Sequence, residues 1–388
     1  MIWGAVCSVW GGLILAQLRA RRDGVFLRPR SPAHDAQDAC PTVCVVIPAR
    51  NEANALEHCL KNVLAQDYTS LSVVIADDRS EDDTASVAER IARGDWRVRV
   101  VHIDELPAGW MGKSHALWIA TREVDTDWLL FLDVDCTLEP HAVRTAVGEA
   151  RRRDVELLTL WPRQASGGFW EHLIIPLCAA IIALWFGSRR RGAFANGQFL
   201  MMTRSAYERI GGHRVVRTAL IEDVPLAERA HEGGVRSWVA SGRDLLCVRM
   251  YDGYTAIIDG WARIYIGALR SSVKLLASIL WLAVGSLTPY IVAAILVAAR
   301  VIDKPHLDAS TFNALLALCV THLMLMMVAS VRFWGMGGCK RVYLLLYPWS
   351  VLIVMRILAR SAWWLIVRRR VPWRNREYTI DRRGVIVE

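Results

Sequence analysis

The chain has 388 residues, 54% of them hydrophobic and 22% charged, with 47 Lys and Arg against 38 Asp and Glu for a net charge of +9. So much apolar side chain excludes intrinsic disorder, and a mean hydropathy of +0.25 argues against a purely soluble protein, because it implies apolar runs too long for a globular core. The positive excess would suggest nucleic acid in a soluble protein, but beside apolar segments it suggests arginine against anionic lipid, with no nucleic-acid partner.

Residues 1–22 open on an apolar stretch, Met1–Leu18, closed by Arg19, Arg21 and Arg22. A secretory signal carries its positive charge before the apolar run. The reversed order here predicts an uncleaved anchor whose C-terminal side is cytosolic. Residues 39–260 then read as one globular domain, with short apolar runs broken by charged, turn-rich stretches. Val43–Ile47 is a continuous, largely β-branched run, as a strand buried on both faces requires. A helix over Ala53–Ala65 and a strand over Ser72–Ala76 follow. Ser80, with Asp83 three residues on, can cap the next helix. A strand over Val98–Ile103, a helix over Ser114–Arg122 and a strand over Trp128–Leu132 complete the pattern. Such alternation predicts an α/β fold with a mostly parallel sheet, in which ligands gather at the carboxyl ends of strands.

Segment 169–187 is apolar but carries Glu171, His172 and Pro176. Crossing a bilayer there would separate its two flanks, both of which carry motifs of one site, so an interfacial or core helix is expected. Residues 270–388 read as a C-terminal membrane region with a basic tail. Its windows Leu275–Ala299, Phe312–Val331 and Val342–Val367 each reach the roughly 20 residues needed to cross a hydrocarbon core. The last window has basic residues on both sides, Arg332, Lys340 and Arg341 before it and Arg368–Arg370 after it. The positive-inside rule places both flanks in the cytosol, and Arg356 and Arg360 interrupt the window at a cost of ~2.5–3.5 kcal/mol for a charge near the bilayer centre. A kinked, re-entrant or interfacial element is therefore expected there, with three helices crossing. The location that follows is the cell's inner membrane, multi-pass, with residues 39–260 in the cytosol. The nine cysteines show no C-x-x-C spacing and no accompanying His cluster, which predicts reduced, buried thiols rather than disulfides or a zinc site.

Three acidic groups fall after predicted strands or in turns: Asp77-Asp78, Asp133-Val134-Asp135 and Glu222-Asp223. Two carboxylates spaced D-x-D at a strand end can face one cavity and bind a divalent cation, which fills the rest of its shell with water and phosphate oxygens. Asp is also common after strands as a cap or turn former, so the spacing of any one pair leaves both readings open.

Taken with their surroundings, these residues resemble family 2 glycosyltransferases of the GT-A fold. Val45-Val46-Ile47-Pro48-Ala49-Arg50-Asn51-Glu52 looks like the family's opening strand and P-x-x-N-E turn. Asp77-Asp78-Arg79-Ser80-Glu81-Asp82-Asp83-Thr84 resembles its D-D-x-S-x-D-x-T nucleotide-binding turn, Leu132-Asp133-Val134-Asp135 its D-x-D, and Glu222-Asp223 its E-D. The likeness covers roughly residues 40–250. Gly109-Trp110-Met111-Gly112-Lys113, the anchor, the later helices and the tail Val371-Pro372-Trp373-Arg374-Asn375-Arg376-Glu377-Tyr378 are similar to the hopene-associated subgroup, whose layout carotenoid and ceramide glycosyltransferases share. The family's Q-x-x-R-W has only Asp259-Gly260-Trp261-Ala262-Arg263-Ile264 as a counterpart, which weakens any reading as a processive polymer synthase.

The resemblance implies an inverting, metal-dependent glycosyltransferase that moves a sugar from a nucleotide-sugar, expected to be a UDP-sugar, to a hopanoid or isoprenoid-like lipid at the cytosolic membrane face. Asp223 would be the general base. Asp135 and Asp133 would hold Mg²⁺ or Mn²⁺, with Asp133 also near the ribose. Asp78 would contact the nucleotide base, and Pro48, Ala49 and Glu52 would line its pocket. Lys113 would act at the phosphates as a point charge, its plain alternative being an exposed loop lysine. Arg374 and Arg376 would close over the diphosphate or touch anionic lipid. Arg189–Arg191 read as membrane-surface residues, and His141, His213 and His231 as surface or capping histidines. The competing readings are a polysaccharide synthase, for which the chain is short and poor in membrane helices, and a non-catalytic membrane scaffold of the same fold.

Overall fold

The computed structural model describes residues 2–22, 26–29, 40–165, 167–186, 194–301, 308–373 and 376–387. Arg189–Arg191 and Arg374 lie outside the described residues, as does the side chain of Arg376. The chain forms two compact units: Val25–Ala165, Leu184–Met250 and Arg369–Glu388 make one, and Met1–Gly24, Ser166–Ala183 and Tyr251–Arg368 the other. The basic tail, read from sequence as part of the membrane region, thus groups with the first unit.

That first unit is built on a seven-stranded sheet. Its strands are β1 (Val43–Ala49), β2 (Leu71–Asp78), β3 (Val98–Ile103), β4 (Trp128–Leu132), β6 (Leu157–Trp161), β8 (Phe199–Thr203) and β9 (Ser237–Ser241), in the spatial order β3-β2-β1-β4-β8-β6-β9. Pairing is parallel through β3, β2, β1 and β4 and between β6 and β9; β8 runs antiparallel to both neighbours. A small sheet joins β5 (Cys136–Leu138), β10 (Leu246–Val248) and β7 (Arg163–Gln164), and the tail forms a hairpin of β11 (Arg370–Trp373) and β12 (Arg376–Thr379). Val43, Val45, Val46 and Ile47 are fully buried, because helices cover both faces of a parallel sheet. One face packs on Leu56, Leu60 and Val63 of the helix Ala53–Leu64, the other on Ala116, Leu117 and Ala120 of the helix Gly112–Thr121. The carboxyl ends of β1, β2 and β4 therefore share one edge, with the order of connection reversing beside β1. This is where an open α/β sheet holds its ligand.

Three sequence expectations shift at this edge. β2 continues through Asp77 and Asp78 instead of stopping at Ala76. The helix after it starts at Thr84, and Ser80 does not cap it; the Ser80 hydroxyl accepts a hydrogen bond from the Asn51 N–H instead (3.1 Å). His213 is not a surface residue: it is buried, with Phe131 and Tyr207 against its ring, and its Nδ1 lies 2.9 Å from the Tyr207 hydroxyl.

The second unit is helical. By length and composition, four of its described helical runs can cross a membrane: Phe169–Phe186, Ser272–Arg300, Ala309–Gly335 and Arg341–Arg368. Burial inside the unit distinguishes the first, whose Leu173, Ile174, Ile175, Leu177, Cys178, Ile181 and Ile182 are all buried. The polar residues that made this segment ambiguous have local duties. Glu171 accepts a hydrogen bond from the Gly167 N–H ahead of the helix (2.6 Å). Pro176 has no N–H to give the carbonyl four residues back, and the His172 carbonyl accepts instead from Trp334 Nε1 (3.2 Å).

The run from Ser272 contains a wide turn at Leu282–Leu287. Such π-bulges leave backbone groups without their regular partner. There, the Gly285 carbonyl accepts from Trp10 Nε1 (2.9 Å), on the N-terminal helix Ile2–Arg22, and from His322 Nε2 (2.9 Å). Trp3 Nε1 donates to His322 Nδ1 (3.0 Å), so the imidazole carries its proton on Nε2. The two arginines of the last run are also met. Arg356 donates to the Tyr254 hydroxyl (3.2 Å), and Arg360 lies 2.8 Å from Asp259 and over the ring of Trp364. Paired in this way, they do not leave isolated charges in an apolar helix.

Candidate active site

The β1 and β2 ends are tied together by side-chain to backbone bonds. Asn51 and Arg79 both adopt left-handed backbone (φ 53 and 54), which places each chain in a tight turn at some cost for a non-glycine residue. The turns hold each other. Ser80 Oγ accepts from the Asn51 N–H, Thr84 Oγ1 from the Glu52 N–H (2.8 Å) and Asp82 from the Ala53 N–H (3.4 Å), while Asn51 Oδ1 accepts from the Glu81 N–H (2.8 Å). The polar positions of the D-D-x-S-x-D-x-T stretch thus frame the two loops. Behind them Asp78 is 5% exposed, accepts from Arg79 Nε and Nη2 (2.8 and 2.6 Å), and lies 3.9 Å from Arg50. A Cβ at Gly112 would sit 2.5 Å from Asp78 Oδ2, so the glycine of G-K permits the close approach of that helix. Pro48 and Glu52 are half-buried at the same edge and Ala49 is buried.

The other half of the site is built on charge. Burial alternates from Leu132 to Cys136, which turns Val134 into the core and leaves Asp133 and Asp135 half-buried on the other side. Lys113, in the first turn of the helix Gly112–Thr121 and not in a loop, places its Nζ 2.6 Å from Asp133 and 2.6 Å from Glu222. Burial alone would lower this ammonium, but its two carboxylate partners hold it well above the usual lysine range. Asp223 opens the helix Asp223–Glu232 and accepts from the Gly197 N–H (2.9 Å) and from its neighbour's, Val224 (2.7 Å). Burial, then the adjacent Glu222, push the Asp223 carboxyl up to about 7 against the pull of those donors and Lys113. Asp135 is pushed up to about 7 by burial and by Asp133.

The loop Asn196-Gly197-Gln198, just before β8, has no counterpart among the motifs legible in the sequence, yet it is part of this cluster. A Cβ at Gly197 would lie 3.0 Å from Glu222, 3.3 Å from Lys113 Nζ and 3.4 Å from Asp223. Asn196 Nδ2 donates to Gln198 Oε1 (3.1 Å) and to the Leu160 carbonyl (3.4 Å), fixing the loop. The only sequence trace of this role is a glycine between two amides, a pattern too common to stand out.

Asp133 and Asp135 offer two hard oxygen donors on the same side of the β4 end, so the pair fits a divalent cation. Among the described residues no group of three or more His, Cys, Asp or Glu could hold a metal. A cation here would complete its shell with water and phosphate oxygens, as Mg²⁺ does. Structure therefore brings Lys113, Asp133, Glu222 and Asp223 together, and separately gathers Arg50, Asp78 and Arg79. The side chains of Arg374 and Arg376 lie outside the described residues and are assigned to neither group.

Comparison with known proteins finds similarity over the same part of the chain. Residues 44–223 match the family described as Glycosyl transferase family 2. Relatives named 4,4'-diaponeurosporenoate glycosyltransferase, from Staphylococcus aureus (strain USA300) and Staphylococcus haemolyticus (strain JCSC1435), are 26% and 27% identical over 61% and 64% of this chain. The match spans 65% of the S. aureus relative's own length and 68% of the S. haemolyticus one's. In fold, the chain is similar to a mannosyltransferase, PcManGT, from Pyrobaculum calidifontis, solved in complex with GDP-Man and Mn2+. That likeness has a TM-score of 0.51 at 20% identity, over 88% of this chain and 98% of the other. Residues 44–223 thus match a family 2 glycosyltransferase domain, and the fold is of the GT-A type.

Proposed function

We propose that the protein is a membrane-bound, inverting glycosyltransferase that moves a sugar from a nucleotide-sugar to a hopanoid or isoprenoid-like lipid at the cytosolic face of the inner membrane. The observation that carries this reading is the Asp223 carboxylate, half-buried at the sheet's carboxyl edge and aimed by two backbone N–H groups, beside a lysine shared by two further carboxylates. In the reaction an acceptor hydroxyl attacks the anomeric carbon from the face opposite the diphosphate. The new C–O bond forms as the bond to the diphosphate breaks, and the hydroxyl proton passes to Asp223. A base within ~3 Å of the hydroxyl and with a pKa near the working pH suits that transfer.

A divalent cation on Asp133 and Asp135 would supply Lewis-acid stabilisation of the leaving diphosphate. Lys113, engaged by Asp133 and Glu222, fixes the distance between the D-x-D end and the E-D turn. Asp78, with Pro48, Ala49 and Glu52, bounds the pocket assigned to the nucleotide base. The relatives' named acceptor, 4,4'-diaponeurosporenoate, and the long apolar helices favour a lipid acceptor. The resemblance favours UDP-sugars, and the fold neighbour was solved with GDP-Man, so both nucleotides belong in the assay.

The test is release of nucleoside diphosphate by the purified full chain, with Mn²⁺ or Mg²⁺ and extracted lipid, against Asp223→Asn. Acceptor-dependent release by wild type and its loss in the variant are expected. A wild type that binds no nucleotide-sugar would remove the enzymatic reading, and an unimpaired variant would remove Asp223 as base.

A further inference from the structure

The last described residues fold back on the turn that carries Glu222 and Asp223. After β12 the chain makes a second, tight hairpin: the Val387 N–H bonds the Thr379 carbonyl (3.0 Å), the Asp381 N–H the Val385 carbonyl (2.8 Å), and Ile380 bridges Ile386. Its turn is set by Asp381, whose Oδ1 accepts from the Arg383 and Val385 N–H groups (2.8 and 2.9 Å), and by Gly384 at φ 71. Ile380 and Ile386 are buried, so an apolar edge anchors the hairpin to the sheet unit.

The outer strand of that hairpin pairs with the chain just ahead of the E-D turn. The Ile386 N–H donates to the Thr218 carbonyl (2.9 Å), and Val385 bridges Ala219 in antiparallel sense. The neighbouring Arg217 carbonyl accepts from the Met111 N–H (2.7 Å), two residues before Lys113. Residues 217–219 are thus gripped by the hairpin at one position and by the lysine-bearing segment at the next. Three residues beyond Ala219 stands Glu222, whose carboxylate must meet Lys113 Nζ at 2.6 Å. With Ile380 and Ile386 buried on one side, this pairing holds its register, because a slip of one residue would turn those side chains outward.

We infer that the C-terminal hairpin, residues 379–387, is a positioning element for the reaction: it holds residues 217–219 so that Glu222 and Asp223 meet Lys113 and Gly197, although it touches no substrate. The inference deepens the proposed function and rests on it for its kinetic arm alone. The contact that carries it is the Ile386 N–H to Thr218 carbonyl bond. A proline at 386 removes that donor, and a valine keeps it with most of the apolar body.

The test uses the full chain in detergent micelles, as wild type, Ile386→Pro and Ile386→Val. Hydrogen exchange read by mass spectrometry does not depend on turnover. In Ile386→Pro the peptides spanning 216–224 are expected to exchange at least about tenfold faster, with β1 and β4 unchanged, while Ile386→Val behaves as wild type. Unchanged exchange at 216–224 overturns the inference, and so does equal loosening of every strand, which would make the hairpin a general clamp on the fold. In the kinetic arm, Ile386→Pro should lose about tenfold in kcat with donor KM within about twofold, the signature of an interaction that acts on the transition state and not on donor binding. A proline variant with wild-type kcat overturns the positioning role even where exchange rises. A wild type without turnover removes the proposed function and leaves the exchange result to decide the hairpin's role.

Discussion

The two halves of the site edge are held by different physics. At the ends of β1 and β2, hydrogen bonds between side chains and backbone, from Ser80, Asp82, Thr84 and Asn51, stitch one loop to the other. At the ends of β4 and β8 and at the turn before Asp223, one ammonium is divided between Asp133 and Glu222, with Asp223 and Gly197 close beside it. The first arrangement fixes the shape of two loops, and the charges that act on Asp223 lie elsewhere, on Glu222 and Lys113. Each bond there is worth about 1 kcal/mol and its loss is local. The second arrangement sets protonation as well as shape, so a change at one member reaches the others through charge. Substitutions on the two sides should accordingly fail in different ways.

The largest effect is expected on the charged side, at Asp223 itself. Asp223→Asn keeps the volume and removes the base, and turnover should fall by about 10²–10⁴-fold, the range for losing a positioned general base, with donor affinity retained. Because burial and Glu222 push the carboxyl up to about 7, wild-type kcat should rise with pH through about 7. The sign for stability is opposite. A carboxyl that titrates higher in the folded state than in the unfolded one favours folding while protonated, and that contribution is lost as pH rises through about 7. Thermal melts should then show Asp223→Asn gaining on wild type as pH rises from about 4 to about 7, with a constant advantage above that and none in acid. A flat comparison across pH would mean that the carboxyl is solvated.

Next comes Lys113→Met. It leaves Asp133 and Glu222 facing each other without their shared cation. The cost should be about 3 kcal/mol, at the low end for breaking a buried pair, because the lysine side chain keeps 26% exposure. Since Lys113 holds Asp223 down, the acidic limb of the pH–rate profile should also move upward, which a loss of packing alone would not do. Gly197→Ala tests the same cluster sterically. Its methyl would sit 3.0 Å from Glu222 and 3.3 Å from Lys113 Nζ, and overpacking of about 1–3 kcal/mol should appear mainly in kcat, measured at saturating donor.

Much of this architecture is legible in the order of the amino acids. The strand β4 lies where its apolar run places it, and β1 extends two residues past Ile47 to Ala49, because a strand covered on both faces must be continuously apolar and the signal is local. The edge strand β3, with Arg99 and His102 exposed, also has the expected bounds. Asp133, Glu222 and Asp223 stand out as carboxylates at turns. What sequence does not supply is the partner of each charge. Lys113 lies 20 residues from Asp133 and 109 from Glu222 in the chain, and only the sheet brings the three together. Gly197 is a backbone donor and a vacancy for a side chain, neither of which leaves a residue-type signature. In the helical unit, Arg356 and Arg360 count against a crossing helix because hydropathy treats a charge as isolated. The structure pairs them with Tyr254 and Asp259 on another helix.

The smallest effect is expected at the frame between β1 and β2, and it is the sharpest check on the contrast. Ser80→Ala removes the acceptor of the Asn51 N–H, while Thr84, Asp82 and Asn51 Oδ1 keep the other three ties. The loop should loosen by about 1 kcal/mol, or roughly fivefold in donor KM, with kcat at saturating donor and the pH–rate limb both unchanged, because no charge near Asp223 has moved. Adding Asn51→Ala removes the Glu81 tie as well and also changes a residue in left-handed backbone, where asparagine is tolerated better than alanine. The double variant should therefore lose more in KM than the single one and still leave the limb in place. A shift of that limb in either variant would join the two halves electrostatically and end the distinction between a hydrogen-bonded frame and a charged centre.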